Sequence, residues 1–163
     1  MYWIVPGVLA GRPGPECVPW NLGDFVESGI GGVVSLDGPI RTKELHAAGL
    51  RHLPAYQPML LLRSDEERMR FLSVMRPALA FIDELRDLGL ATLVHCYHGC
   101  DRTGAVLACY LVARRGSSAS EAVRSVQKVN PDAMWAVGYM EAVYAFEDAY
   151  RSDPRRFEDR RER

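Results

Sequence analysis

The run His95-Cys-Tyr-His-Gly-Cys-Asp-Arg-Thr-Gly104 holds a thiol, a guanidinium six positions later, then a hydroxyl, with two glycines in between and after. An apolar run, Ala91-Thr-Leu-Val, leads into it, and an apolar stretch follows it. A loop that leaves the carboxyl end of a strand and enters a helix can aim successive backbone N–H groups at one point, where the helix dipole also favours negative charge. Such a loop is a cradle for an anion. Cys96 stands at its start, where the same field favours the thiolate, the nucleophilic form of cysteine. Arg102 falls in the first turn of the helix, and its planar fork can hold two oxygens of a phosphate while charge spreads during transfer. Gly99 and Gly104 allow tight turning and close packing. Tyr97, His98, Gly99, Cys100 and Gly104 would line the bound anion, with the His98 side chain open to water. The chemistry that this spacing predicts is attack of Cys96 on a phosphate ester.

The other reactive side chains have no such setting. Cys17 and Cys109 are expected to be incidental or packed in the core, and His46 and His52 to lie at the surface or in packing, since no spacing of His or Cys suggests a metal site. Neither a metal nor a cofactor is expected. A proton donor for the departing oxygen has three candidates. Asp101 lies inside the loop beside Arg102, where a bound dianion would favour its protonated form. Asp65 follows Ser64 in a helix-capping pattern that explains a carboxylate by itself. Asp37 ends a core strand before Gly38-Pro39, at the edge where a parallel sheet presents its sites, yet a turn-initiating aspartate needs no catalytic role. Asp101 is the preferred donor.

These side chains need a scaffold, and the pattern supplies one. Short strands are predicted for Met1 to Val5 and Val8 to Ala10, a helix for Pro19 to Gly29, and a buried strand for Gly32-Val-Val-Ser-Leu36. Arg41 to Ala48 reads as a helix, Arg51 to Ala55 as a strand, and Ser64-Asp-Glu-Glu67 as a capping box opening a long helix that Pro77 kinks or divides. Ala91 to His95 is the predicted central strand. Thr103 to Arg115 is a buried helix, Ser118-Ala-Ser-Glu121 caps another that stops at Asn130-Pro131, and Met134 to Tyr150 makes the last. Strands separated by helices indicate a single α/β domain with a mainly parallel central sheet flanked by helices. It is expected to span residues 1–150, with the almost wholly charged 151–163 as a frayed tail.

Composition narrows the partners. Twenty Lys and Arg against 21 Asp and Glu leave no basic field for nucleic acid or an anionic membrane, so any affinity for phosphate is local. With 48% of its 163 residues apolar, the chain can bury a core without disulfides, and four cysteines with no export signal read as free thiols. The longest apolar run, Ala105 to Ala113, is too short for a membrane span. A cytoplasmic monomer with no nucleic-acid or membrane partner is expected.

His95-Cys96-x5-Arg102-Thr103-Gly104 resembles the signature of the cysteine-based protein tyrosine phosphatases, particularly the dual-specificity branch and its small archaeal members. Met1-Tyr-Trp, Val33-Val-Ser-Leu36, His52-Leu-Pro54 and Phe81-Ile-Asp83 fall where that group has similar segments, so the resemblance covers roughly residues 1 to 148. It implies that Cys96 forms a thiophosphate intermediate, that Arg102 binds the phosphoryl group, that Thr103 assists breakdown of the intermediate, and that His95 helps to hold the loop. Gly-x-Asp-Arg-Thr-Gly is also similar to broad-range bacterial phosphatases in which the loop aspartate has been considered an acid. Two positions depart from the pattern. The stretch after His52-Leu-Pro54 lacks the family's acidic residue, and Asn130-Pro-Asp-Ala-Met-Trp135 lacks its water-positioning glutamine. The resemblance implies a phosphatase for phosphotyrosine in proteins or peptides, with phosphoserine and phosphothreonine as further substrates. The alternatives are a phosphoinositide phosphatase, which the lysine-free loop disfavours, and a catalytically weak module that only binds phosphorylated partners.

Overall fold

The computed structural model describes residues 1–38 and 42–158. Among these residues five strands form one sheet in the order β1-β2-β5-β3-β4: β1 Tyr2–Val5, β2 Leu9–Pro13, β3 Ile30–Ser35, β4 Arg51–Pro54 and β5 Ala91–Cys96. Only β1 runs antiparallel to its neighbour. The sheet is thus mainly parallel and β5 is its central strand, as the apolar run before Cys96 predicts.

Alternation along the strands divides the core. Val34 on β3 and Val94 and Cys96 on β5 face the larger cluster, under α3 Asp65–Leu72, α4 Met75–Asp87, α5 Asp101–Arg115, α6 Ala119–Val129 and α7 Tyr139–Ser152. Val33 and Leu93 face the smaller one, closed by α1 Leu22–Glu27 and α2 Thr42–Ala47 through Phe25 and Leu45. Every residue from Arg102 to Val112 is buried, which is why α5 carries apolar residues on all sides. Gly116 ends it in the left-handed conformation.

Several boundaries differ from expectation for identifiable reasons. The long helix after Ser64 is two helices, broken at Ser73–Val74. Pro77 lies in the first turn of α4, where its missing N–H has no intrahelical partner to lose. Ser64 and Glu67 form the predicted capping box, and Ser118 with Glu121 forms another. The last helix begins at Tyr139 instead of Met134, because 131–138 form a turn and loop whose backbone is used elsewhere: Ala136 N donates to the Asp101 carboxylate and Val137 O accepts from Leu62 N.

The tail also packs further than a frayed end would. Arg151 and Ser152 complete α7, Pro154–Phe157 is a 3₁₀ turn, and Phe157 is buried edge-on against Phe146. One aromatic ring therefore anchors an otherwise charged segment. Arg41, the expected start of α2, and residues 159–163 lie outside the described residues.

Candidate active site

Cys96 is the last residue of β5, and α5 begins at Asp101. The loop between them is held from three sides. Pro13 on β2 pairs with Cys96, and Gly14 N donates to Tyr97 O at 2.9 Å. On the opposite side Leu36 N donates to His95 O at 2.9 Å. At the turn, Gly99 O accepts from Tyr2 Oη at 2.6 Å and from Asn130 Nδ2 at 3.1 Å. Gly99 itself has φ +72°, and a Cβ there would overlap the Arg12 carbonyl, so the position requires glycine. A Cβ at Gly104 would sit 3.0 Å from that of Ala133, which lets the chain after α6 lie close to α5.

Within this frame the Cys96 thiol is 2% exposed, and Thr103 Oγ1 donates to its sulfur at 3.2 Å. A hydroxyl aimed at the sulfur stabilises a thiolate more than a thiol. Arg102 points its fork across the mouth of the loop, Nη1 donating to Gln57 O at 2.9 Å and Nη2 to Asp37 Oδ2 at 2.7 Å. Burial disfavours its charge, but the bond to Asp37 and the nearby Cys96 and Asp37 charges outweigh that and raise its pKa. Asp37 therefore holds Arg102 through one oxygen, while the other accepts from Gly38 N at 2.8 Å. A cleft of about 40 Å³ opens beside Cys96, bounded by Gly14, Glu16, Asp37 and Tyr97.

The remaining candidates separate clearly. Asp101 Oδ1 accepts from Ala136 N at 2.9 Å, which ties the loop to segment 131–138. Asp65 has a 96% exposed side chain and pairs with Arg68 in the first turn of α3, apart from this network. Tyr97 and His98 are exposed and meet edge to face at 4.7 Å. Cys100 Sγ lies 3.4 Å from His98 O, and burial pushes its thiol pKa up.

His95 is 1% exposed, its Nδ1 3.4 Å from Cys96 O and its Nε2 2.8 Å from Ser35 Oγ. Ser35 in turn lies 2.8 Å from His52 Nε2, and His52 Nδ1 lies 2.8 Å from Thr42 Oγ1. Trp20 closes over His95 edge-on at 4.7 Å, its indole N–H on Pro13 O. Composition and spacing do not single out Ser35, His52, Thr42, Trp20, Tyr2 or Asn130 as site residues. Tyr2 and His52 lie in segments that carry the family resemblance, but their partners are 97 and 17 residues away in the chain.

Among the described residues no group of three or more His, Cys, Asp or Glu is placed to hold a metal, and no helix is long and apolar enough to cross a membrane. The protein is 26% identical over 139 residues to the phosphatidylglycerophosphate phosphatase PTPMT1 of Arabidopsis thaliana, and 29% identical over 138 residues to dual specificity protein phosphatase 12 of Rattus norvegicus. Those matches cover 85% and 83% of this chain but only 40% and 38% of the relatives. The fold is also that of human DUSP28, at 20% identity and a TM-score of 0.78, covering 93% of this chain and 99% of that one. The family model described as dual specificity phosphatase, catalytic domain, matches residues 41–149. With its central strand, its thiol-bearing loop and its buried helix all inside that span, the chain belongs to the dual specificity phosphatase catalytic-domain family.

Proposed function

We propose that this protein hydrolyses phosphate monoesters on proteins, phosphotyrosine first, by two displacements at Cys96. The observation that carries this reading is the buried Cys96 sulfur at the entrance to α5 with the Thr103 hydroxyl 3.2 Å away. In the first step the Cys96 thiolate attacks phosphorus, the bond from phosphorus to the ester oxygen breaks, and that oxygen leaves with a proton from an acid. In the second, water attacks the cysteinyl phosphate and gives a proton to the acid that lost one in the first step, the S–P bond breaks, and its electron pair returns to sulfur. Thr103 stabilises that departing thiolate by its hydrogen bond, and Arg102 neutralises the equatorial oxygens in both steps. Asp101 is the preferred acid, since both Asp37 oxygens are engaged and Asp65 faces solvent.

Similarity to a phosphatidylglycerophosphate phosphatase favours a second reading, a lipid phosphate monoester. Glu16 and Asp37 beside the cleft, and a loop with no lysine and no arginine except Arg102, count against a headgroup carrying several phosphates. Release of phosphate from p-nitrophenyl phosphate, phosphopeptides and phospholipids by the wild-type chain separates these readings. Cys96→Ser is expected to abolish turnover yet retain phosphotyrosyl peptide, because the alcohol keeps the shape and lacks the accessible anion. Activity in that variant, or tight peptide binding by a wild type with no turnover, would overturn the proposal. Phospholipid turnover far above peptide turnover would move the substrate class to lipids.

A further inference from the structure

The register of three strands places His95, Ser35 and His52 on one face of the sheet. Ser35 pairs with His95 between β3 and β5, Val33 pairs with His52 between β3 and β4, and Val33 and Ser35 share a face by alternation. Cys96, one residue on, points to the other face. A chain of hydrogen bonds thus runs from the loop, behind the nucleophile, to the start of α2.

The protons in this chain depend on one another. The Cys96 carbonyl only accepts, so its 3.4 Å contact with His95 Nδ1 is a hydrogen bond only in the tautomer that carries the hydrogen on Nδ1, and a bond of that length is too weak to select the tautomer by itself. Burial, the largest influence, pushes the His95 pKa down to about 4, so the ring is neutral at pH 7 and, in that tautomer, Nε2 is bare. Nε2 then accepts the single Ser35 hydroxyl hydrogen. Ser35 Oγ must consequently accept from His52 Nε2–H. His52, whose pKa burial and then His46 lower, is left with a bare Nδ1 that accepts from Thr42. The charged or titratable groups that act on His95 are His52, Asp37 and Arg102, and no carboxylate among the described residues hydrogen-bonds to its ring.

We propose that Thr42, His52 and Ser35 are positioning residues that fix the tautomer of His95, so that His95 Nδ1–H holds the Cys96 carbonyl and with it the strand-to-loop turn that presents the thiol. Without His52, the Ser35 hydroxyl turns freely and either accepts from or donates to His95, and both tautomers become populated. The catalytic consequence rests on Cys96 being the nucleophile; the tautomer does not.

The test uses protein labelled with ¹⁵N in histidine, in which long-range ¹H–¹⁵N spectra identify the protonated nitrogen of each ring. Wild type should show His95 as the Nδ1–H tautomer and His52 as Nε2–H. Ser35→Ala and His52→Leu should show mixed tautomers at His95 and alkylation of Cys96 by iodoacetate slower by about two- to tenfold, the worth of one neutral hydrogen bond. His52→Gln, whose amide can donate to Ser35 and accept from Thr42, should restore both. An Nε2–H tautomer at His95 in wild type would overturn the proposal, as would unchanged spectra and alkylation in His52→Leu. If Ser35→Ala does not fold, the two His52 variants decide. Turnover by Cys96→Ser would instead remove the catalytic reading and leave the tautomer result standing.

Discussion

Arg102 and Asp101 are adjacent in the chain, yet their side chains have opposite tasks. Arg102 turns back to Asp37 and the Gln57 carbonyl, so that its charge is held in place, which would lower the entropy lost on binding if Arg102 takes the phosphoryl group as proposed. Asp101 turns outward to Ala136 N with one oxygen. The substitution Asp101→Asn keeps an acceptor for that N–H and replaces the ionisable carboxyl with an amide that cannot act as an acid. If Asp101 protonates the departing oxygen, the variant should hydrolyse esters of acidic phenols nearly as wild type does and lose about 10²- to 10⁴-fold on esters with basic leaving groups, the range of general acid catalysis. A series of aryl phosphates measures this. An equal loss for every ester would mark Asp101 as a brace of the loop.

At the scale of elements, the loop depends on four parts that meet at Gly99: β1 through Tyr2, β2 through Arg12, the end of α6 through Asn130, and α5 itself. Gly99→Ala would combine a left-handed φ with overlap against β2. It should cost about 2–5 kcal/mol, read by urea unfolding, and should nearly abolish turnover because the loop must shift to relieve the contact. Tyr2→Phe removes one hydrogen bond and leaves that of Asn130, so its cost should be about 1 kcal/mol with most activity retained. A Gly99→Ala variant as stable as wild type would mean that β2 yields easily.

For the whole molecule, the buried histidine sets a dependence on acid. The folded-state pKa of His95 lies at about 4, below the ordinary 6.5, so the unfolded chain binds more protons between these values and stability falls as pH drops through that window. His52 is shifted in the same direction. The His95 contribution is at most about 3 kcal/mol and is complete below about pH 4. Denaturant unfolding should already show the fall between about pH 6.5 and 5, above the ordinary carboxylate range; a flat response there would contradict it. Phe157 supplies a separate test. Its ring packs on Phe146 at 4.7 Å, so Phe157→Ala should cost about 3 kcal/mol, an effect absent if the tail were frayed.

The sequence by itself determined what is local. Cys96-x5-Arg102-Thr103-Gly104 and the apolar runs around it place the thiol at a strand end and the guanidinium in the first turn of a helix. Ser64 and Ser118 cap their helices because a hydroxyl and a glutamate three residues on satisfy two backbone donors. Alternation of strands and helices gives the α/β class. What joins distant segments was decided only by the tertiary structure. Asp37 reads as a turn residue until the sheet brings it to Arg102 across 65 positions, and His52 reads as packing until strand register sets it beside Ser35. Residues 134–138 read as the first turn of the last helix, but the Ala136 N–H and the Val137 carbonyl find better partners in Asp101 and Leu62. Periodicity reports which face of an element is buried; it carries no information on which strand lies next to it, and the partners of Arg102 and His95 depend on that order.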